Sequence, residues 1–586
     1  MEAVTWESIK AKGFCGGMIG DLKRRRPHYL NDWYDCFYGK VLASIFFMFF
    51  TSIAPAITFS VYLEDNTDDN GKIQIGTVEV LLSTALTGVF FAIVGGQPLC
   101  IIGVTGPVSI FTIAVFNICM ALDINFIPFY AWTQIWSSAM HIVLAMTNMC
   151  DLIAWVTRYS CETFGALIAV IYLYTGAKAL GEYFYDDITP ALLSLILGIG
   201  TCLIAVWLAS ARSWVIFNKL IRDLLSDYAA TIAILFFSCV PYMTEKVRRV
   251  DVQTLDVPST FETTSGRAWF VDLTDITPGA IFLAILPGFI LTVLFFFDHN
   301  VSSLLSQTPN FKLKKGSAYH WDFFVVGINI FITGILGIPP TNGLIPQAPL
   351  HTKSLAEVEM VGEGRNKREE VKLVHEQRVS NFTQALLIGI TLAPPILKVL
   401  QLIPRAALDG LFLFMGIASF PGNQFAERVV LLITEPDLRE SVHGYLEKVP
   451  WPSIRTFTLI QFVFCALIFG VTLTPAAMLF PLLIASLVVM RKYVFPKYYD
   501  KAYILALDSD GMPLAPEGDE NTDMKISKDG FQGVGKSPAP EQEEKNQTDS
   551  DRAPSADELT GKAATSTGTQ AEPGVTTAIV TATNTV

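Results

Sequence analysis

Gly337-Ile-Pro-Pro-Thr-Asn-Gly-Leu-Ile-Pro-Gln-Ala-Pro-Leu-His-Thr-Lys-Ser-Leu355 is the stretch whose reading decides the fold. Its four prolines, Pro339, Pro340, Pro346 and Pro349, stop any regular helix from running through it. It also carries Thr341, Asn342, Gln347, His351, Thr352 and Lys353, groups that hydrocarbon does not tolerate without partners. Apolar runs surround it on both sides. Backbone broken at membrane depth persists only where protein encloses it or where it lines a wet cavity. A second break lies earlier, at Gly103-Val104-Thr105-Gly106-Pro107. Paired interruptions in corresponding positions of two halves point to the binding site of a transporter.

Composition places the chain in a membrane. Of its 586 residues, 51% are hydrophobic and only 16% charged. Soluble domains carry roughly 25% charged residues. The mean hydropathy is +0.43. The net charge of −12 resides largely in short loops and in the C-terminal tail, so it says little about partners. The nine cysteines are scattered, mostly through apolar runs, and none forms a C-x-x-C pair. They read as small buried hydrophobes rather than a disulfide framework or a metal site. No nucleotide loop, nucleophile–base arrangement or metal cluster is legible. The reading is therefore of no enzyme and no cofactor, and nucleic acid is not expected as a partner.

The apolar runs predict fourteen segments, near 41–62, 78–96, 104–121, 126–147, 153–180, 189–209 and 227–243 in the first half. Those of the second half lie near 279–305, 322–337, 342–356, 380–400, 407–420, 454–471 and 474–492. Several are shorter than the ~20 residues a full span needs. Connections at 210–226, 306–321 and 357–379 are basic, whereas those at 63–77 and 181–188 are acidic, which puts both termini in the cytosol. The long connection at 244–278 is a partial exception, since it should face outward yet holds Lys246, Arg248, Arg249 and Arg267. A sixteen-span arrangement diverging at that point is the alternative. Seven segments per half is an odd number, so the halves insert with opposite orientation, as an inverted repeat requires. Before the first segment, Lys23-Arg24-Arg25-Arg26 beside Trp33, Tyr34, Phe37 and Tyr38 reads either as a membrane-surface anchor or as a plain cytosolic flank. Beyond about residue 508 the composition predicts a disordered tail.

Within this frame, Thr105, Gly106 and Pro107 open a helix whose free N–H groups and dipole favour an anion. The second break would bring a second helix N-terminus to the same place. Asp298 and His299 follow an apolar run that resumes at Val301, which favours an intramembrane carboxylate, able to accept hydrogen bonds from a ligand hydroxyl or to bind a coupling proton, over a span that ends near Phe297 with both residues at the cytosolic interface. Asn342 and Gln347, neutral amides, suit a hydroxyl-bearing ligand. Lys353 is read as reaching the cytosolic side, and Glu79, Glu162, Lys178 and Asp409 as interface or structural groups.

Several stretches carry a family resemblance: Gly20-Asp-Leu-Lys-Arg-Arg-Arg-Pro-His-Tyr29, Gln97-Pro-Leu-Cys-Ile-Ile-Gly-Val-Thr-Gly-Pro107, Phe296-Phe-Asp-His-Asn300, Lys314-Lys-Gly-Ser-Ala-Tyr-His320, residues 337–355, and Phe420-Pro-Gly-Asn-Gln-Phe-Ala-Glu-Arg428. On these residues the chain, over about 13–500, resembles the anion exchanger (bicarbonate transporter) family, and within it the borate exporters of fungi and plants. The borate assignment rests on Pro339-Pro-Thr-Asn-Gly343 through His351-Thr-Lys353.

The resemblance implies an all-α polytopic protein with a 7+7 inverted repeat and two half-helices at the substrate site. Its domains would be a cytosolic N-terminus at 1–40, core at 41–147, gate at 148–243 and an extracellular loop at 244–278. Core resumes at 279–400 and gate at 401–495, with a cytosolic tail at 496–586. It implies a homodimer formed through gate domains and an elevator-like movement of the core. Chloride–bicarbonate exchangers have an arginine where this chain has Gln347, and a glutamate where it has Asp298. The expected substrate-binding residues are Thr105, Gly106, Pro107, Asp298, Asn342, Gly343 and Gln347.

The expected function is export of borate or boric acid across the plasma membrane, with the vacuolar membrane as the alternative location. A bicarbonate or other small-anion exchanger of the same fold is the competing function. A membrane scaffold acting through its tail is the third reading.

Overall fold

The computed structural model describes residues 6–69, 71–185, 187–255, 260–361, 368–436, 439, 445–474 and 479–508. The tail expected to be disordered beyond about 508 lies outside them, as do Arg365 and Lys367 of the basic 357–379 connection.

A helix is found at every one of the fourteen expected segments. After a short N-terminal helix α1 (Gly16–Arg25) come α2 (Gly39–Asn66), α3 (Thr77–Val94), α4 (Gly106–Leu122) and α5 (Phe126–Met146). They are followed by α6 (Arg158–Glu182), α7 (Ile188–Ala209), α8 (Lys219–Asp227) and α9 (Ala229–Cys239). Next are α10 (Ile285–Ser306), α11 (Tyr319–Leu336), α12 (Gln347–Ser354), α13 (Val379–Thr391) and α14 (Pro394–Leu400). The last are α15 (Arg405–Ala418), α16 (Gln424–Ile433), α17 (Trp451–Thr472) and α18 (Phe480–Val489). Among the described residues seven helices are long and apolar enough to cross a membrane, or nine if each of two bent pairs counts as one span. The helices α4 and α13 are apolar but shorter. Among the described residues the other expected segments are helices too short to cross alone, as the sequence lengths predict for several of them. The 342–356 segment is helical only from Gln347, and 380–400 breaks at Pro394 and Pro395.

Two connecting segments carry more structure than their composition shows. The basic connection at 357–379 holds an antiparallel hairpin of Ala356–Val361 with Arg368–Val374. The run at Lys23–Arg26 is not wholly a surface feature. Arg25 is buried, donates to Asp32 (3.1 Å) and lies 3.8 Å from Glu376. Asp32, itself fully buried, also pairs with Lys315 (2.8 Å) and Arg378 (3.2 Å). The N-terminal segment thus ties the connection after α10 to the start of α13. Asp32→Ala takes from Arg25, Lys315 and Arg378 the one carboxylate all three share, leaving Glu376 beside Arg25 alone, and removing one partner of such a buried cluster costs about 3–5 kcal/mol. The expected result is a clear fall in the melting temperature of the detergent-solubilised protein; an unchanged melt would remove the cluster from the list of stabilising features.

The two breaks meet. Ile102-Gly103 (β1) pairs antiparallel with Asn342-Gly343 (β2), in the register Ile102↔Gly343 and Gly103↔Asn342. Leu344 N–H extends the contact to Ile101 O at 2.8 Å. Helix α4 starts three residues after β1, and α12 four residues after β2. Close approach sets the sequence here. A Cβ on Gly343 would stand 3.0 Å from Ser302 Cβ and 3.2 Å from His299 Cα, so a larger residue would push β2 off α10.

Side chains satisfy the remaining broken backbone, as burial requires. Asp322 accepts Gly96 N–H and Gln97 N–H, and Arg378 donates to the carbonyls of Ala92 and Gly95. Asn381 donates to Cys100 O, and His351 bridges Leu99 O and Ser380 Oγ. On the second break, Gln134 donates to Ile338 O and Ser83 to Pro339 O, while the Thr341 hydroxyl is itself paired, donating to Thr87 Oγ1. Irregular chain at this depth is thus enclosed by hydrogen-bonding protein.

Candidate functional site

Where the two breaks pair, a small cavity of about 30 Å³ remains. Thr105, Gly106 and Pro107 form one wall at the start of α4, and Gly343 to Pro346 form another just before α12. Asp298 of α10 faces it, and Phe59 of α2 and Tyr172 of α6 complete the lining with Ile168 and Ile171. No lysine or arginine is in the lining. A charge-bearing ligand would meet helix N-termini, where unpaired N–H groups and the dipole favour an anion.

The local sequence explains each wall. Thr105 is the N-cap of α4, and its Oγ1 accepts Val108 N–H at 3.3 Å. Pro107 stands at the second helical position rather than the first, where its missing N–H still removes only an orphan donor. Gly106 is required because a Cβ there would lie 2.9 Å from the Phe59 ring. Asp298 lies within α10, which continues to Ser306, and is 2% exposed.

Five of the seven expected residues, Thr105, Gly106, Pro107, Asp298 and Gly343, line this cavity. Asn342 adjoins Asp298 from the neighbouring strand, and neither its Nδ2 nor Asp298 Oδ1 completes a hydrogen bond among the described residues. Gln347 stands one step back. Its Nε2 donates to Thr51 O (3.2 Å) and Tyr172 OH (3.3 Å), while Oε1 has no partner. A backbone carbonyl only accepts, so the Thr51 contact fixes the amide with nitrogen toward α2. The unpaired set of Asp298 Oδ1, Gln347 Oε1 and Asn342 Nδ2 thus offers two acceptors and one donor, all fully or nearly fully buried.

Sequence reasoning missed Phe59 and Tyr172. Tyr172 is one of two tyrosines in Ile171-Tyr-Leu-Tyr174, and no spacing distinguishes it. The groups read as structural have partners: Glu79 accepts Thr264 N–H (2.7 Å), Asp409 accepts Tyr183 OH (2.9 Å), Glu162 pairs with Arg158, and Lys178 with Glu182.

Comparisons with known proteins identify the family. The profile of the HCO3- transporter integral membrane domain family matches residues 13–189 and 186–512. The chain is 36% identical over 493 residues to Boron transporter 1 of Saccharomyces cerevisiae, covering 82% of this chain and 83% of that protein. It is 32% identical over 605 residues to Boron transporter 4 of Arabidopsis thaliana, covering 85% and 87%. To the Band 3 anion transport protein of Homo sapiens it is 28% identical, over 87% of this chain and 57% of that protein. Among solved structures, the transmembrane domain of the cyanobacterium bicarbonate transporter BicA superposes with a TM-score of 0.46 at 14% identity, covering 75% of this chain and 96% of that one.

Apolar helices and family together make the protein an all-α multi-pass membrane protein and a transporter rather than an enzyme. With a profile match across both halves and relatives above 30% identity along more than four fifths of its length, the chain belongs to the HCO3- transporter integral membrane domain family.

Proposed function

We propose that this chain is a secondary transporter that exports boron, as borate, across the plasma membrane. The observation that carries the reading is the cavity at the paired breaks. It has helix N-termini to offset one negative charge, no fixed cation in its lining, and unpaired acceptors and a donor beside it. Tetrahydroxyborate carries one diffuse charge and four hydroxyls that both donate and accept. Asp298, Asn342 and Gln347 would pair with those hydroxyls, while Thr105, Gly106, Pro107 and Gly343 shape the charged end. A ligand without hydroxyls would leave buried polar groups unpaired, which discriminates strongly against it. The names of the yeast and plant relatives support the same ligand.

The cavity walls come from 41–147 and 279–400 on one side and from α6, within 148–243, on the other. We propose with it a division into core and gate, an inverted 7+7 repeat, a homodimer through the gates and both termini cytosolic; of these, the cavity walls bear on the first alone. Elevator-like sliding of the core past α6 would carry the ligand across, with a coupling proton as co-ligand.

Boron efflux from proteoliposomes holding the full chain, with and without an imposed pH gradient, tests the reading. Borate-dependent flux that responds to the gradient is expected. Uptake of labelled bicarbonate or chloride unaffected by borate would instead select the bicarbonate-type reading that the family description and the Band 3 relative favour.

A further inference from the structure

Arg267 was conspicuous in the sequence as a cation on a connection expected to face outward. In the structure its guanidinium is spent on backbone. Nη2 donates to Leu336 O (3.0 Å) and Gly337 O (2.7 Å), and Nη1 to Ala268 O (2.9 Å). Val271 N–H donates to Ile335 O at 2.9 Å. The last carbonyls of α11, which have no partner within the helix, are thus taken up by the 260–275 loop, and the cation sits at the negative end of the helix dipole. Gly337 ends α11 with φ +63° and lies flat under this group. A Cβ there would come within 2.9 Å of Arg267 Nη2 and 2.6 Å of Val271 Cγ2. The same loop is fastened at a second point, where Glu79 at the start of α3 accepts both Thr264 N–H and Thr264 Oγ1 at 2.7 Å.

Between Gly337 and the cavity lie Ile338, Pro339, Pro340 and Thr341, then Asn342 and Gly343. The two prolines have fixed φ, and each restricts the residue before it. A shift imposed at Gly337 is therefore passed along to β2 rather than absorbed. Gly343 has no slack to take it up, because it packs against Ser302 and His299 of α10.

We infer that Arg267 is a positioning residue for the transport site: from outside the membrane it fixes the end of α11, and through the Pro339-Pro340 link it sets Asn342 and Gly343 against Asp298. This rests on the cavity being the transport site, whichever anion occupies it. Arg267→Ala in full-length protein in proteoliposomes is expected to raise KM roughly tenfold or more, the effect of losing a charged hydrogen bond, while maximal flux falls less. Guanidinium ion added on the loop side should restore KM, because the lost group is a cation at a partly exposed position on a surface loop. Arg267→Lys should recover only part of the loss, since one ammonium cannot fork across three carbonyls. The flux is measured with whichever anion the wild type carries, so failure of the borate reading and failure of this inference stay distinct. A wild-type KM in Arg267→Ala overturns the inference. So does lost transport that guanidinium does not relieve and that comes with a lowered melting temperature, which would make Arg267 merely structural.

Discussion

Asp298→Ala is expected to reduce boron flux to the level of empty liposomes while the protein stays folded and reaches the membrane. Both halves of that result follow from the surroundings of one carboxylate. Asp298 lines the cavity from the middle of α10, and its Oδ1 has no partner among the described residues. A buried polar group left unpaired contributes no stability. Truncating it therefore removes a burden rather than a support, and the melting temperature should hold or rise. Transport is another matter. If the ligand completes the pairing of Asp298, alanine removes hydrogen bonds to a charged group, worth roughly 1.5–3 kcal/mol each. Two such bonds amount to about a hundredfold or more in flux at limiting substrate. Any coupling proton held by Asp298 is lost as well. The check is boron flux alongside surface abundance and a thermal melt. Near-normal flux in the variant would remove Asp298 from the site.

How much of this was legible in the sequence depends on how local the cause is. Proline chemistry is local. Pro339, Pro340, Pro346 and Pro349 announce a break wherever they sit, and so does Gly106-Pro107 before a helical run. Asp298 in an apolar run is equally plain, because charge in hydrocarbon is rare. The hydrogen-bonded pairing of Ile102-Gly103 with Asn342-Gly343 was not legible. It joins residues about 240 apart, and two-residue strands have no periodicity to detect. The role of Arg267 was hidden for a related reason. Counting lysine and arginine along a loop assumes free charge, whereas this guanidinium is committed to the carbonyls of Leu336 and Gly337. Arg25 departs from the surface reading on the same ground, through Asp32 and Glu376. The hairpin at 356–374 does alternate, with Val358 and Val371 between charged neighbours. Its basic residues drew the eye to topology instead.

Gln347→Arg is the sharper test of ligand chemistry, because it changes what the site rewards. In the structure, the Gln347 amide nitrogen is held by Thr51 O and Tyr172 OH, and Oε1 is left as an unpaired acceptor. Arginine donates and never accepts, so the substitution deletes that acceptor. It also brings a permanent cation to a cavity whose lining has none. Attraction by such a charge in a low-dielectric site acts on any small anion. Pairing with hydroxyl hydrogens does not. Flux of chloride or bicarbonate should therefore appear while boron flux falls, moving their ratio by roughly tenfold to a hundredfold. Gln347→Leu separates the two effects. It removes the acceptor without adding charge, so boron flux should drop with no chloride flux gained. If Gln347→Arg carries boron and chloride in the wild-type ratio, hydroxyl pairing is not what this position contributes. The choice of borate over smaller anions would then have to come from Asp298 and Asn342 alone.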